Sequence, residues 1–174
     1  KIKKYNGSSY VSKSFTNLLI SSDIVYMDDT CCINIFDFPL ITITFQDFNA
    51  IRQPLAFGFL AGREAKHFEA FLSDVKKIIN NDIRVFIIDR WAGQLKAIKK
   101  VFPNSNIVFC RIHLERNISQ TFGCYSRLGS LFNQLINGSI KDDAYLSELK
   151  KLIDKASKHK KVLQTLFDDL KSYS

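Results

Sequence analysis

Apolar residues along this chain recur with two periods, and the switch between them marks out its elements. Ile24, Val25, Tyr26 and Met27 form an apolar run that begins after Asp23 and stops at Asp28, which predicts a short buried strand. From Leu40 to Gln46 the pattern alternates. Ile41, Ile43 and Phe45 fall on one side, Thr42 and Thr44 on the other, as in a half-buried strand. A turn over Asp47 to Gln53 leads to the nearly all-apolar stretch Pro54 to Leu60, a third strand that would close an antiparallel hairpin. The period then lengthens. Phe68, Phe71, Leu72, Val75, Ile78 and Ile79 lie at helical spacing and predict a helix from Glu64 to Asn80, ended by Asn80, Asn81 and Asp82. A strand from Arg84 to Ile88 ends at Asp89, a helix spans Ala92 to Phe102 before Pro103, and Ile107 to Cys110 forms a fifth strand.

Beyond Ile112 the chain reads as helical almost to its end. Apolar spacing appears in Leu128, Leu131, Phe132, Leu135 and Ile136, then in Leu146, Leu149, Ile153 and Ala156, and again in Val162, Leu163, Leu166, Phe167 and Leu170. At the other end, residues 1–10 are polar and expected to be mobile, and Ser12 to Ser22 fits a short helix with Phe15, Leu18 and Leu19 on one face. Three strands followed by helix–strand alternation imply an α/β fold: a mixed five-stranded sheet flanked by helices, with a helical C-terminal segment. The expected divisions are a lead-in over 1–22, a core over 23–118 and a helical segment over 119–174.

Composition agrees with a folded domain. The 174 residues are 46% hydrophobic, with 15 Phe and only 7 Gly and 3 Pro, enough for a core without covalent staples. The net charge of +8 favours a polyanionic partner, since phosphate contacts release counterions. Its distribution says more. Lys1, Lys3, Lys4 and Lys13 make the start basic, and Arg90, Lys96, Lys99, Lys100, Arg111 and Arg116 form a second basic group. Between them, Asp23, Asp28, Asp29, Asp37 and Asp47 make an acidic centre, the charge layout a metal-dependent nuclease requires. The four cysteines, Cys31, Cys32, Cys110 and Cys124, show no secreted framework, so a reduced, intracellular protein is expected. No apolar run reaches the roughly 18 residues of a membrane span. A first residue of Lys fits a domain within a longer chain.

The candidate chemistry rests on Asp28 and Asp89. Alone, each has an ordinary reading, a turn residue for Asp28 and a helix N-cap for Asp89. Together they place a carboxylate at the carboxyl ends of two buried strands, where open α/β sheets hold their sites. If those strands are neighbours, about 4.8 Å apart, the two carboxylates can share a divalent ion. Mg²⁺ (or Mn²⁺) suits such oxygen ligands, and paired ions serve phosphodiester transfer.

The surrounding residues resemble a known family. Asp28-Asp29-Thr30 with Asn34 and Pro39-Leu40, then Phe57-Gly58-Phe59-Leu60 with Glu64 and Phe68, are similar to segments of the Mutator-like (MULE) transposases. So is the block Ile87-Ile88-Asp89, Ala97-Ile98, Val101-Phe102-Pro103, Cys110, His113 and Asn117. The resemblance covers about residues 23 to 118. It implies a ribonuclease-H-like fold and a DDE-type, metal-dependent DNA transposase of the nucleus, cutting transposon ends and joining them to target DNA, with room for a homodimer. Family members usually carry Gly or Ala at the place of Asp29. They usually carry an aromatic residue in place of Cys31 and of Ile112, and Thr in place of Ile88. The family's third acidic residue, a Glu on a late helix after a helical insertion, has no counterpart here; the chain reads as ending within that insertion, and Glu148 reads as a solvated surface charge. The alternative is a domesticated, inactive derivative that retains DNA binding.

The remaining candidates are weaker. Cys110 and His113 form a C-x-x-H step that lacks the partners of a structural zinc site. The resemblance places the pair at the active-site edge; a buried Cys and a capping His compete with that reading. Arg90, Arg111 and Arg116 are candidates for DNA phosphates, against a merely solvated surface. Trp91 is expected to pack under the helix that follows it or to stack on a base, with packing favoured.

Overall fold

The computed structural model describes residues 8–11, 23–31, 33–79, 82–122, 129–130, 134, 143–155 and 160–171. The strands are β1 (Ser8–Val11), β2 (Ile24–Thr30), β3 (Leu40–Gln46), β4 (Arg52–Phe59), β5 (Val85–Ile88) and β6 (Asn106–Phe109). The helices are α1 (Ala65–Ile78), α2 (Ala92–Val101), α3 (Arg111–Phe122), α4 (Asp143–Lys155) and α5 (Lys160–Lys171). The chain forms two compact units, Lys1–Cys110 and Arg111–Ser174.

In the first unit all six strands join one mixed sheet in the order β1-β4-β3-β2-β5-β6. β2, β3 and β4 form an antiparallel meander, while β5 and β6 run parallel to β2. The five expected strands are all present. The sixth, β1, corrects the expectation that residues 1–10 are mobile throughout. Its Ser-Ser-Tyr-Val sequence carries no strand pattern of its own and is held by antiparallel pairing with β4, from Ser8 opposite Phe59 to Val11 opposite Ala56. The helix expected over Ser12 to Ser22 lies outside the described residues.

The alternation read in β3 is realised in full: Ile41, Ile43 and Phe45 are all 0% exposed. They share a core with Val25 and Met27 of β2, Phe86 and Ile88 of β5, Phe68, Phe71, Leu72 and Val75 of α1, and Ala97 and Ile98 of α2. Ile78 departs from the expected apolar face and is exposed, because Val75 and Ile79 fill the core side of that last turn. In β4 the register shifts opposite Ile43 and Thr44, so Leu55 is an extra residue and both Leu55 and Ala56 turn inward. Pro54 sits at this irregularity, beyond the stretch paired with β1, where its missing N–H breaks no ladder.

In the second unit Leu149, Ile153, Leu163 and Phe167 are buried, as their spacing predicts. The apolar run from Leu128 to Ile136 falls on residues whose side chains lie outside the described set. Glu148 is half-buried on α4 rather than fully solvated. No helix among the described residues is long and apolar enough to cross a membrane.

Candidate functional site

The register between β2 and β5 decides where the acidic residues fall. Tyr26 pairs with Ile87 and Met27 with Ile88, so Asp28 and Asp89 are the residues that directly follow the last pair. Side chains alternate along a strand. Val25, Met27 and Asp29 therefore project to the helix-covered face, and Tyr26 and Asp28 to the other. Phe86 and Ile88 share the helix-covered face, so continuing the alternation puts Asp89 on the same side as Asp28. Asp28 is exposed and Asp89 half-buried.

The expected strand end needs correcting. β2 does not stop at Asp28 but runs to Thr30, because β3 continues to pair with it through Asp28–Thr42, Asp29–Ile41 and Thr30–Leu40. Only the pairing with β5 ends at Met27. Asp28 thus lies where β5 has just turned away. That turn is tight: the Arg90 N–H donates to Asp89 Oδ1 at 2.6 Å and the Trp91 N–H to the Asp89 carbonyl at 2.8 Å.

The acidic centre read from the sequence is smaller than expected. Asp23 lies at the opposite end of β2, paired with Arg84 at 3.1 Å. Asp47 sits in the β3–β4 turn, at that same far end, where Oδ1 accepts from the Asn49 and Ile51 N–H groups and Oδ2 from Gln53. The Gln53 hydrogen bond, with those from the backbone, holds the Asp47 carboxyl below the usual carboxylate range. Asp37 occupies the β2–β3 loop, which Asn34 organises by accepting from the Phe36 and Phe38 N–H groups and donating to the Phe38 carbonyl. Asp28 and Asp29 are adjacent on β2, at the end where β5 leads into Asp89.

Asp29 is not an open ligand. Its side chain is 2% exposed, and Arg63 Nε lies 2.8 Å from Oδ2. The N–H points off the line between them, so this is a close ion pair rather than an aligned hydrogen bond. Oδ1 accepts from Gln94 Nε2 at 2.5 Å, and Gln94 is fully buried on the first turn of α2. Burial is the strongest influence on Asp29 and raises its carboxyl above the ordinary value; Arg63 opposes the rise, while the negative charges of Asp28 and Asp89 add to it. Because the folded pKa is raised, this carboxyl adds stability below the ordinary Asp range that is lost as pH rises through its folded pKa. Asp29→Asn should abolish that dependence: across a urea-denaturation series from pH 4 to pH 7, the wild type is expected to lose stability relative to the variant.

Arg63, which the sequence reading did not single out, joins the elements around this carboxylate. It follows β4, faces Asp29, and lies 4.2 Å over the Trp91 ring. Trp91 Nε1 donates to the Arg63 carbonyl at 3.1 Å, and the indole lies against Gly93 on the first turn of α2, the helix it precedes. Gly93 permits the approach, since a Cβ there would stand 2.8 Å from the Arg63 carbonyl oxygen. Gly93→Ala is expected to lower stability by about 1–3 kcal/mol, the usual cost of overpacking, and to shift Trp91 fluorescence toward the solvent-exposed value.

Among the described residues, no group of three or more His, Cys, Asp or Glu is placed to hold an ion. Asp28 and Asp89 are two, and Asp29 is turned to the other face. This sheet-edge pair lies within the segment that decides the chain's kinship: residues 24–117, more than half of the chain, match the MULE transposase domain. The chain belongs to that family. Over 101 residues it is also 27% identical to Protein FAR1-RELATED SEQUENCE 6 of Arabidopsis thaliana, a match covering 58% of this chain and 14% of that protein. The chain therefore spans a small part of that relative's length.

Within this MULE domain the other expected residues have separate settings. Cys110 is a half-buried free thiol at the end of β6, its N–H donating to the Ile88 carbonyl at 2.7 Å. That bond ties β6 to the last residue before Asp89. His113 is half-buried on α3, in the second unit. Arg90 is half-buried in the turn after Asp89. Arg111 and Arg116 are exposed on α3, with Arg111 3.5 Å from Glu115. Lys100 pairs with Glu69 at 2.6 Å at the far end of α2.

Proposed function

We propose that this MULE domain is the catalytic core of a DNA transposase and that its sheet is ribonuclease-H-like. The fold reading rests on strand order: an antiparallel meander, β2 to β4, followed by two parallel strands on the β2 side, β5 and β6. The catalytic reading is supported by the parallel register of β2 and β5, whose last paired residues, Met27 and Ile88, come directly before Asp28 and Asp89.

The residues present fit a divalent ion. Two hard oxygen ligands on an exposed sheet edge leave room for the waters and phosphate oxygens that Mg²⁺ or Mn²⁺ retains. Such an ion, when bound, activates the attacking oxygen and stabilises the leaving one in phosphodiester transfer. Asp28 and Asp89 would hold it. The Arg90 N–H holds one Asp89 oxygen, Oδ1, in place. The basic side chains of Arg90, Arg111 and Arg116 are candidates to hold DNA phosphates, and Cys110, just after β6, to shape the site's edge. The reaction class would be hydrolytic nicking at element ends, then transesterification by the freed 3′-hydroxyl.

A second reading is a transposase-derived DNA-binding protein without cleavage. It is favoured by Asp29, the carboxylate next to Asp28 in the chain, being committed to Arg63 and Gln94. Mg²⁺-dependent nicking of DNA carrying the element ends separates the two. On the first reading the protein nicks such DNA, and Asp89→Asn slows nicking by at least about 10²–10³-fold with DNA affinity unchanged. DNA binding with no nicking by a wild-type protein that also supplies the family's third acidic residue would establish the second.

A further inference from the structure

We infer that Asp29 is a positioning residue for the Asp28–Asp89 pair, acting as a tie that sets the spacing of the two carboxylate-bearing strand ends. This deepens the metal-site reading above and rests on it. The need for a tie follows from topology. β2 and β5 are paired only up to Met27 and Ile88, so the positions that follow, Asp28 and Asp89, lie beyond the last paired residues. Something else must set their separation. Asp29 is next to Asp28 in the chain but projects through the sheet to the helix-covered face. There it meets two groups that each lead back to Asp89. Gln94 Nε2, on the first turn of α2, donates to Oδ1 at 2.5 Å. Arg63 pairs with Oδ2 at 2.8 Å and lies over Trp91, whose N–H donates to the Asp89 carbonyl at 2.8 Å. The contacts form a closed ring: Asp29, Arg63, Trp91, the Asp89 turn, α2, Gln94 and Asp29 again. Gln94 is 0% exposed, its Oε1 has no hydrogen-bond partner among the described residues, and its Nε2 is held by Asp29.

A carboxylate adjacent to a ligand but facing away from it is poorly placed to bind the ion. It is well placed to hold the ligand's backbone, as outer-shell partners of metal sites do. Ala at position 29 would leave Arg63 and Gln94 without this partner and free α2's first turn from β2.

The test uses Mn²⁺ binding, followed by electron paramagnetic resonance, and hydrogen exchange of backbone amides. Asp29→Ala, checked as folded by circular dichroism, is expected to weaken Mn²⁺ affinity about tenfold, and Asp29→Asn, which keeps an acceptor for Gln94, by less. In Asp29→Ala, exchange should quicken in residues 28–31 and 89–95 while 41–45 stay protected. Val75→Ala, a core variant remote from the ring, should lower stability with Mn²⁺ affinity unchanged. Wild-type affinity in folded Asp29→Ala would overturn the tie and leave the metal site standing. A wild type that binds no Mn²⁺ would overturn the metal reading, and the tie would then stand or fall on whether exchange quickens in those two segments together.

Discussion

Arg63→Ala is expected to destabilise the protein by about 3 kcal/mol, more than loss of an exposed cation, which costs about 0–1 kcal/mol. Stranding one member of a buried pair typically costs 3–5 kcal/mol. The lower end applies because the Arg63 side chain is 37% exposed, so water already screens part of the attraction, and because Asp29 can take up a proton. The substitution also removes the guanidinium from the Trp91 ring. Urea denaturation at pH 7 reads the effect. Its origin is separable: Asp29→Asn with Arg63→Ala should be less destabilised than Arg63→Ala alone, since no charge is then left behind. If the double variant is as unstable as the sum of the two single variants, Arg63 acts through packing alone.

Asp28→Asn and Asp89→Asn are expected to behave oppositely. Neither side chain supports the core, and each adds negative charge near Asp29. Their removal should leave stability unchanged or raise it by less than about 1 kcal/mol, while each abolishes ion binding and nicking. Residues that cost stability but are needed for activity mark a site rather than a scaffold. Thermal denaturation without added metal checks the stability half.

Much of this arrangement was readable in the sequence because it is local. The alternation of Ile41, Ile43 and Phe45, and the helical spacing of Phe68, Phe71, Leu72 and Val75, each declare their buried face within one element. Asp28 and Asp89 were found because each follows an apolar run. What escaped was non-local. β1 is a strand only because β4 pairs with it. β2 outlasts its apolar run because β3 goes on pairing with residues that carry no strand signal. The ring of Asp29, Arg63 and Gln94 spans three separated elements, and no spacing rule connects them. Its one trace was Asp29 itself, a second carboxylate directly after Asp28. The acidic segment misled for the related reason that a strand's two ends are far apart in space: Asp23 and Asp28 are five positions apart in the chain, and β2 carries them to opposite ends of the sheet.

The central claim is that Asp28 and Asp89 together hold a divalent ion. The direct measurement is a Mn²⁺ titration of the wild type, Asp28→Asn and Asp89→Asn under identical conditions. The wild type is expected to bind, and each variant to lose at least about 100-fold in affinity, beyond the 10–100-fold typical of outer-shell changes. Equal affinity in all three proteins would contradict it.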